Sequence, residues 1–261
     1  MNPRSFLFTL FGDYVHPVGQ DSVRVAALVR LAGELGISDN ALRSALTRLT
    51  REGWLQPERN GGSPRYSLTP TTREVIEEGI RRIYGGRRTN WDGRWLLLSY
   101  SVPEQRRGQR DRLRQNLSFL GFGSLGNGFF VSPHDLRDEV LEVIRRCGVE
   151  QHVTMYRGRL AWPVEPSQVV GRAWDLEQLS SRYAAFLETA APGAETSQQD
   201  VFRCRFLLTH HFRHLLFDDP DLPEPLLPAG WVGTRAREWF WSENRRLRRR
   251  AERYYLEVAG R

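Results

Sequence analysis

Apolar positions recur along this chain with two different periods, and the switches between them divide it into elements. From Asp21 or Ser22 to about Leu35, the residues Val25, Leu28, Val29 and Ala32 fall on one helix face. A second helical pattern follows the turn Leu35-Gly36-Ile37-Ser38, with Leu42, Ala45, Leu46 and Leu49 as its apolar side. Ser38 can cap the free N–H groups of the first turn, Ile37 can pack on Leu42 as a hydrophobic staple, and Gly53 can end the helix in a left-handed conformation. The period then shortens. Trp54-Leu55-Gln56 and Tyr66-Ser67-Leu68 flank Asn60-Gly61-Gly62-Ser63-Pro64, the pattern of a hairpin. Helix, turn, helix and hairpin in that order predict a winged helix-turn-helix, with the earlier apolar run at residues 6 to 11 as a first core helix, since it is too short to span a bilayer and lacks a cleavage region.

The pattern predicts a helix from Thr71 to Tyr84, and Gly85-Gly86-Arg87-Arg88-Thr89-Asn90 reads as a linker. A second unit starts at Trp91. It alternates a strand from Trp95 to Val102, a helix from Gln105 to Leu120, a hairpin turning at Gly126-Asn127-Gly128, a helix from His134 to Cys147 ended by Gly148, and a strand from His152 to Tyr156. The order βαββαβ predicts a ferredoxin-like sheet with two helices on one face. From Trp174 onward the patterns are helical, over residues 174–190, 198–217 and 231 to about 258, with a proline-rich connector at 218–228. The fold class expected is therefore α+β in three domains: residues 1–86 for the winged helix-turn-helix, 91–160 for the ferredoxin-like unit and 170–261 for a helical C-terminal domain.

The face of the second helix opposite its apolar stripe carries Asn40, Arg43, Ser44, Thr47 and Arg51, side chains of the kind that reach phosphates and base edges in a major groove. Ser38 and Arg48 border that face, and Arg59, Asn60 and Arg65 lie near the hairpin tip, where a basic wing can grip the neighbouring groove. The whole chain has 38 basic against 31 acidic residues, a net charge of +7, and no lysine, so every basic residue is an arginine. Arginine forks pair bidentately with phosphate and guanine, although a G- and C-rich genome also favours arginine everywhere. Cys147 and Cys204 are too few and too far apart for a disulfide framework or a zinc site, which points to a reducing, cytoplasmic home without a membrane partner.

Other chemistry is thinner. His210 and His214 lie four apart on a helical pattern, which lets two imidazoles share a metal; spacing makes no third ligand evident, although Asp218 or Asp219 could serve, and histidines near a helix end also complement its dipole. The run Arg245, Arg246, Arg248, Arg249, Arg250 and Arg253 is read either as a steering surface or as the solvated side of a helix whose apolar positions are Trp239, Phe240, Leu247, Tyr254 and Tyr255. There is no phosphate-cradling Gly-Lys-Ser/Thr loop, no Gly-x-Ser-x-Gly elbow and no triad order, so no catalytic residue, metal or cofactor is expected.

Several blocks stand out, namely Phe11-Gly12-Asp13-Tyr14, Ala41-Leu42-Arg43-Ser44-Ala45-Leu46-Thr47-Arg48-Leu49, Glu52-Gly53-Trp54-Leu55, Trp91-Asp92-Gly93-Arg94-Trp95, Gly121-Phe122-Gly123, Leu207-Leu208-Thr209-His210-His211-Phe212-Arg213, Asp219-Pro220-Asp221-Leu222-Pro223 and Leu226-Leu227-Pro228-Ala229-Gly230-Trp231-Val232-Gly233. Together they resemble the PaaX family of phenylacetate-operon repressors. The resemblance implies a homodimeric repressor of double-stranded operator DNA, with a central domain similar to CRISPR Cas2 proteins and an aryl-acyl-CoA effector, phenylacetyl-CoA in the best-known case, that releases the operator. Reading a palindrome requires two reading helices about one DNA turn apart, roughly 34 Å. A CoA ester seeks arginines for its phosphates and aromatic walls for its rings, and the candidate effector residues are Trp91, Arg94, Trp95, His210, Arg213, Trp231 and Arg235, with Trp239 and Trp241 as further walls. A tryptophan at a domain joint more often serves core packing, given the area it buries. Two alternatives remain: a DNA-binding regulator that senses no small molecule, and a metal-dependent nuclease of the Cas2 type, which needs a carboxylate at the end of the first strand where this chain has Ser99-Tyr100-Ser101. The hairpin tip also departs from the family, with Gly61-Gly62 in place of a more basic turn.

Overall fold

The computed structural model describes residues 1–58, 63–85, 90–189 and 195–260. In chain order the elements are α1 (Pro3–Leu10), β1 (Ser22–Arg24), α2 (Val25–Glu34), α3 (Asp39–Arg51), β2 (Leu55–Glu58), β3 (Arg65–Leu68), α4 (Pro70–Tyr84), β4 (Trp95–Tyr100), α5 (Arg107–Phe119), β5 (Gly123–Gly126), β6 (Phe129–Ser132), α6 (Arg137–Cys147), β7 (Val153–Gly158), α7 (Pro166–Ala173), α8 (Leu176–Thr189), α9 (Gln198–Asp218) and α10 (Val232–Gly260). They form two compact units. The first comprises Met1–Gly85, Phe186–His214 and Thr234–Arg261, and the second Gly86–Ala185 and Leu215–Gly233.

In the first unit α1 runs into a wider π-type turn at Phe11–Val15. The α2–α3 pair forms as its pattern predicts. Ser38 Oγ accepts the Ala41 N–H at 3.3 Å, Ile37 is buried beside the wholly buried Leu42, and Gly53 has φ +75°, a conformation that costs a residue with a Cβ. One expectation needs correction. The stretch from Ser22 does not start a helix but forms β1, which pairs antiparallel with β3 in a three-stranded sheet of order β1-β3-β2. Its three residues are too few to show a period, and its partners Arg65, Tyr66 and Ser67 lie far along the chain, so nothing local marks it.

The core of this unit is aromatic and joins distant segments. Phe6, Leu7, Leu10, Phe11 and Tyr14 are essentially inaccessible. Phe6 stacks on Phe206 of α9 at 5.4 Å between centroids, and Tyr14 meets Phe202 at 5.0 Å and Tyr255 of α10 at 5.7 Å. A polar network is buried with them. The Tyr84 hydroxyl donates to Asp13 Oδ1 at 2.6 Å, Arg205 lies 3.8 Å from Asp13 Oδ2 with its guanidinium 4.7 Å from the centroid of the Tyr14 ring, and Asn244 donates to Thr209 at 3.1 Å and to the Tyr84 hydroxyl at 3.4 Å.

The second unit contains a four-stranded antiparallel sheet of order β5-β6-β4-β7, the arrangement that the order βαββαβ predicts. Because neighbours on a strand face opposite sides, Leu96 and Leu98 pack with Leu113 and Leu117 of α5 and Val140 and Ile144 of α6, while Trp95 and Leu97 point the other way. That second face is also covered, by Val169 and Val170 of α7 and by Leu222 and Leu226 of the connector. The run Trp95-Leu96-Leu97-Leu98 is apolar at every position for this reason. Helix α7 escaped the sequence pattern, which placed helical structure from Trp174 onward; it has only eight residues and two buried positions. No helix among the described residues is long and apolar enough to cross a membrane.

Candidate nucleic-acid interface

Helix α3 buries Leu42, Ala45, Leu46 and Leu49, and this leaves Asn40, Arg43, Ser44, Thr47, Arg48 and Arg51 exposed on its remaining surface. Two of these side chains are already oriented. Arg43 Nε lies 2.6 Å from Asp39 Oδ1, an i,i+4 pair that holds the guanidinium along the helix, and Thr47 Oγ1 donates to the Arg43 carbonyl at 3.1 Å. Ser38 is exposed too, and its hydroxyl oxygen serves the cap described above. At the far end of α3, Glu52 lies 3.9 Å from Arg48 and 3.3 Å from Arg4, whose guanidinium sits 4.9 Å from the Trp54 ring centroid. Arg4 therefore joins this basic edge, which sequence reasoning missed because no local pattern links α1 to the end of α3.

The β2–β3 hairpin carries the remaining candidates. Arg59 and Asn60 lie outside the described residues, as do Gly61 and Gly62. Arg65 is half-buried, and its Nε and Nη2 donate to Ser22 Oγ and to the Ser22 carbonyl, each at 2.8 Å. It braces β3 against β1 rather than projecting from the hairpin.

The candidate effector residues fall into separate groups. In the second unit Trp91 and Trp95 meet edge to face at 5.3 Å, Trp95 stacks on Trp174 at 6.4 Å, and the Trp91 indole N–H donates to the Arg94 carbonyl at 2.9 Å. The Arg94 N–H and the Arg157 guanidinium both donate to Asp92 and hold its carboxyl below the usual carboxylate range. Trp95 is buried, and so is Trp231, which packs edge-on against Tyr183 at 6.1 Å. His210, Arg213 and Arg235 belong to the first unit. There His214 Nε2 is 3.2 Å from Ser5 Oγ, Arg213 donates to the same oxygen at 2.8 Å, and His210 Nδ1 is 3.5 Å from Thr9 Oγ1. Trp239 packs on Phe186 at 5.6 Å and the Trp241 N–H donates to the Ile83 carbonyl at 3.4 Å, so both indoles work in the packing of that unit, while Arg235 is exposed.

Burial, helped by the neighbouring His214 and Arg213 charges, pushes the His210 imidazole down to about 3 from an ordinary 6.5. Since the unfolded chain then binds the proton that the folded chain refuses, this contribution to stability is complete above about pH 6.5 and is lost as pH falls toward 3. The urea midpoint of the wild type is therefore expected to drop between pH 7 and pH 4.5 by more than that of His210→Gln. Parallel declines in the two proteins would refute this account of His210.

Comparison with known proteins decides the family. The model described as PaaX-like protein matches residues 2–72, the PaaX protein central Cas2-like domain matches 88–170, and the PaaX-like protein C-terminal domain matches 174–257. The Transcriptional repressor PaaX of Escherichia coli (strain K12) is 30% identical over 247 residues, which cover 90% of this chain and 77% of that protein. The chain belongs to the PaaX family.

An uncharacterized protein from Mycobacterium tuberculosis has a solved structure similar to this PaaX-family chain, with a TM-score of 0.63 and 24% identity over 96% of this chain and 97% of that one. At that identity the likeness speaks for the fold alone. Within the Cas2-like domain, β4 ends at Tyr100 and is followed by Ser101, and no group of three or more His, Cys, Asp or Glu side chains that could hold a metal occurs among the described residues. The two histidines of the α9 pattern, whose rings lie 4.6 Å apart, interact with Ser5 and Thr9 of α1.

Proposed function

We propose that this PaaX-family chain is a transcriptional repressor whose α2–α3 pair and β2–β3 hairpin act as a winged helix-turn-helix. The observation that carries the reading is α3 itself, with one face buried throughout and the other presenting Asn40, Arg43, Ser44, Thr47, Arg48 and Arg51. A helix of 13 residues is about 20 Å long, enough to lie in a major groove with its N-terminal half over the base edges. Two copies bind a palindromic operator as a dimer, and an aryl-acyl-CoA such as phenylacetyl-CoA releases them. The named relative supports the repressor reading. The effector and the dimer follow from the family resemblance and from the demands of palindrome reading. Typical coupling between such sites is on the order of 1–3 kcal/mol, about a 5- to 150-fold loss of operator affinity.

The test is to titrate the protein, bound to labelled DNA from its own upstream region, with phenylacetyl-CoA, free CoA and phenylacetate. Release by the thioester alone supports the whole proposal. Tight, salt-sensitive binding that none of the three alters favours a regulator without this effector, and absence of sequence preference removes the DNA-reading role. Arg43→Ala is expected to cost about 1–3 kcal/mol on the operator and to relax preference at one base position. Equal losses on operator and random DNA would show that Arg43 contacts only the backbone.

A further inference from the structure

A cavity of about 680 Å³ opens in the second unit between the α7–α8 corner and the proline-rich connector. That volume is in the range of small-molecule sites. Its apolar lining comes from Val170 and Leu226, which are buried and share a core with Trp95, and from the half-buried Trp174 and Leu227 beside them, while polar groups supply about as much of the lining. Trp174 is fixed from behind, because its indole N–H donates to the Gly121 carbonyl at 3.2 Å and its ring stacks on Trp95. Its charged lining is Arg172 against Asp175 and Glu177, one cation and two carboxylates. A lining with one more carboxylate than cations repels a polyanion, whereas apolar side chains beside a rigid indole face suit an uncharged flat group.

We propose that this groove seats the aryl-acyl end of the effector, with the ring against Trp174 and Leu226 and the phosphate-bearing end of the ligand left outside. The assignment rests on the effector reading proposed above and adds its location. It also gives that location a route to the DNA-reading unit. The wall formed by Leu226 and Leu227 lies in the segment Leu215–Gly233, which joins Phe186–His214 to Thr234–Arg261 along the chain, and both of those stretches belong to the first unit. Pro220, Pro223, Pro225 and Pro228 stiffen the connector, so a ring wedged against it displaces the segment as a whole instead of being absorbed by local bending.

Gly171 provides a direct test. It lines the cavity, it lies in α7 with an ordinary helical φ, and a Cβ added there meets nothing within 4 Å, so a side chain can enter the groove without disturbing the fold. Calorimetric titration of the full chain with phenylacetyl-CoA is expected to show affinity weakened at least about tenfold in Gly171→Trp, with Gly171→Ala unchanged and operator affinity without ligand preserved in both. If the tryptophan disturbs folding, Gly171→Phe repeats the experiment with a smaller filler. Wild-type binding with undiminished affinity in the folded, filled variant overturns the groove and leaves the effector reading standing. Failure of the wild type to bind phenylacetyl-CoA overturns the effector reading, and the groove assignment with it.

Discussion

Asp13→Ala is expected to destabilise the protein by about 3–5 kcal/mol, the cost of leaving a buried charge without its partner. Arg205 and Asp13 are each only 2% exposed, so the guanidinium of Arg205 cannot recover water when the carboxylate is removed. The Tyr84 hydroxyl loses its acceptor in the same step. Burial, together with the Asp13 charge, raises the ionisation of that hydroxyl well above the ordinary phenol value, so it stays protonated and acts as a donor throughout the physiological range. The pair is imperfect even in the wild type, since Asp13 Oδ2 and Arg205 Nε have no hydrogen-bond partner among the described residues. Such a pair contributes less when both members are present than its removal one member at a time suggests. A double-mutant cycle separates the two effects. Asp13→Ala combined with Arg205→Met is expected to be distinctly more stable than Asp13→Ala alone, measured by urea unfolding. A loss of less than about 1 kcal/mol for the single variant would show that water reaches Arg205 and that the network is not closed.

The elements that local chemistry specifies were legible in the sequence. Ser38 with Ile37 before it and Gly53 beyond the helix bound α3 at both ends, and the polar positions left over by Leu42, Ala45, Leu46 and Leu49 are the ones found exposed. The turn Gly126-Asn127-Gly128 is equally local, with positive φ at all three residues. What stayed hidden depends on distant partners. Arg65 reads as a free wing arginine until β1 is known, because its acceptor is Ser22 and residue 22 gave no sign of being a strand. The aromatic positions of residues 91 and 95 were visible, but Trp174 and the small helix before it, which build the groove, had no pattern that tied them to Trp95. Periodicity also tells that a helix buries one face without telling against what, and for α9 and α10 the answer is the N-terminal segment.

That answer carries the other large expectation: a fragment of residues 1–85, although it contains α2, α3 and the hairpin, is not expected to fold cooperatively. Phe6 and Tyr14 are fully buried in the chain, with Phe206 packed on Phe6 and with Phe202, Phe206 and Tyr255 packed on Tyr14. At about 1.5–3 kcal/mol for each large apolar side chain returned to water, Phe6 and Tyr14 together forfeit about 3–6 kcal/mol, a large share of the 5–15 kcal/mol net stability of an ordinary domain. The fragment also loses the hydrogen bonds that α10 makes along its length: Trp241 to the Ile83 carbonyl at 3.4 Å, Tyr254 to Glu34, Tyr255 to Gln20 at 2.6 Å and the Ala259 carbonyl accepting from Arg24 at 2.9 Å. These reach α4, α2, the loop before β1, and β1 itself. Thermal unfolding followed by far-ultraviolet circular dichroism is the measurement, with the full chain giving a cooperative transition and the fragment a shallow, featureless decline. A sharp melt for the fragment would mean that α2, α3 and the hairpin hold a core of their own. Their dependence on α9 and α10, and with it the proposed route from the groove to α3, would then have to be abandoned.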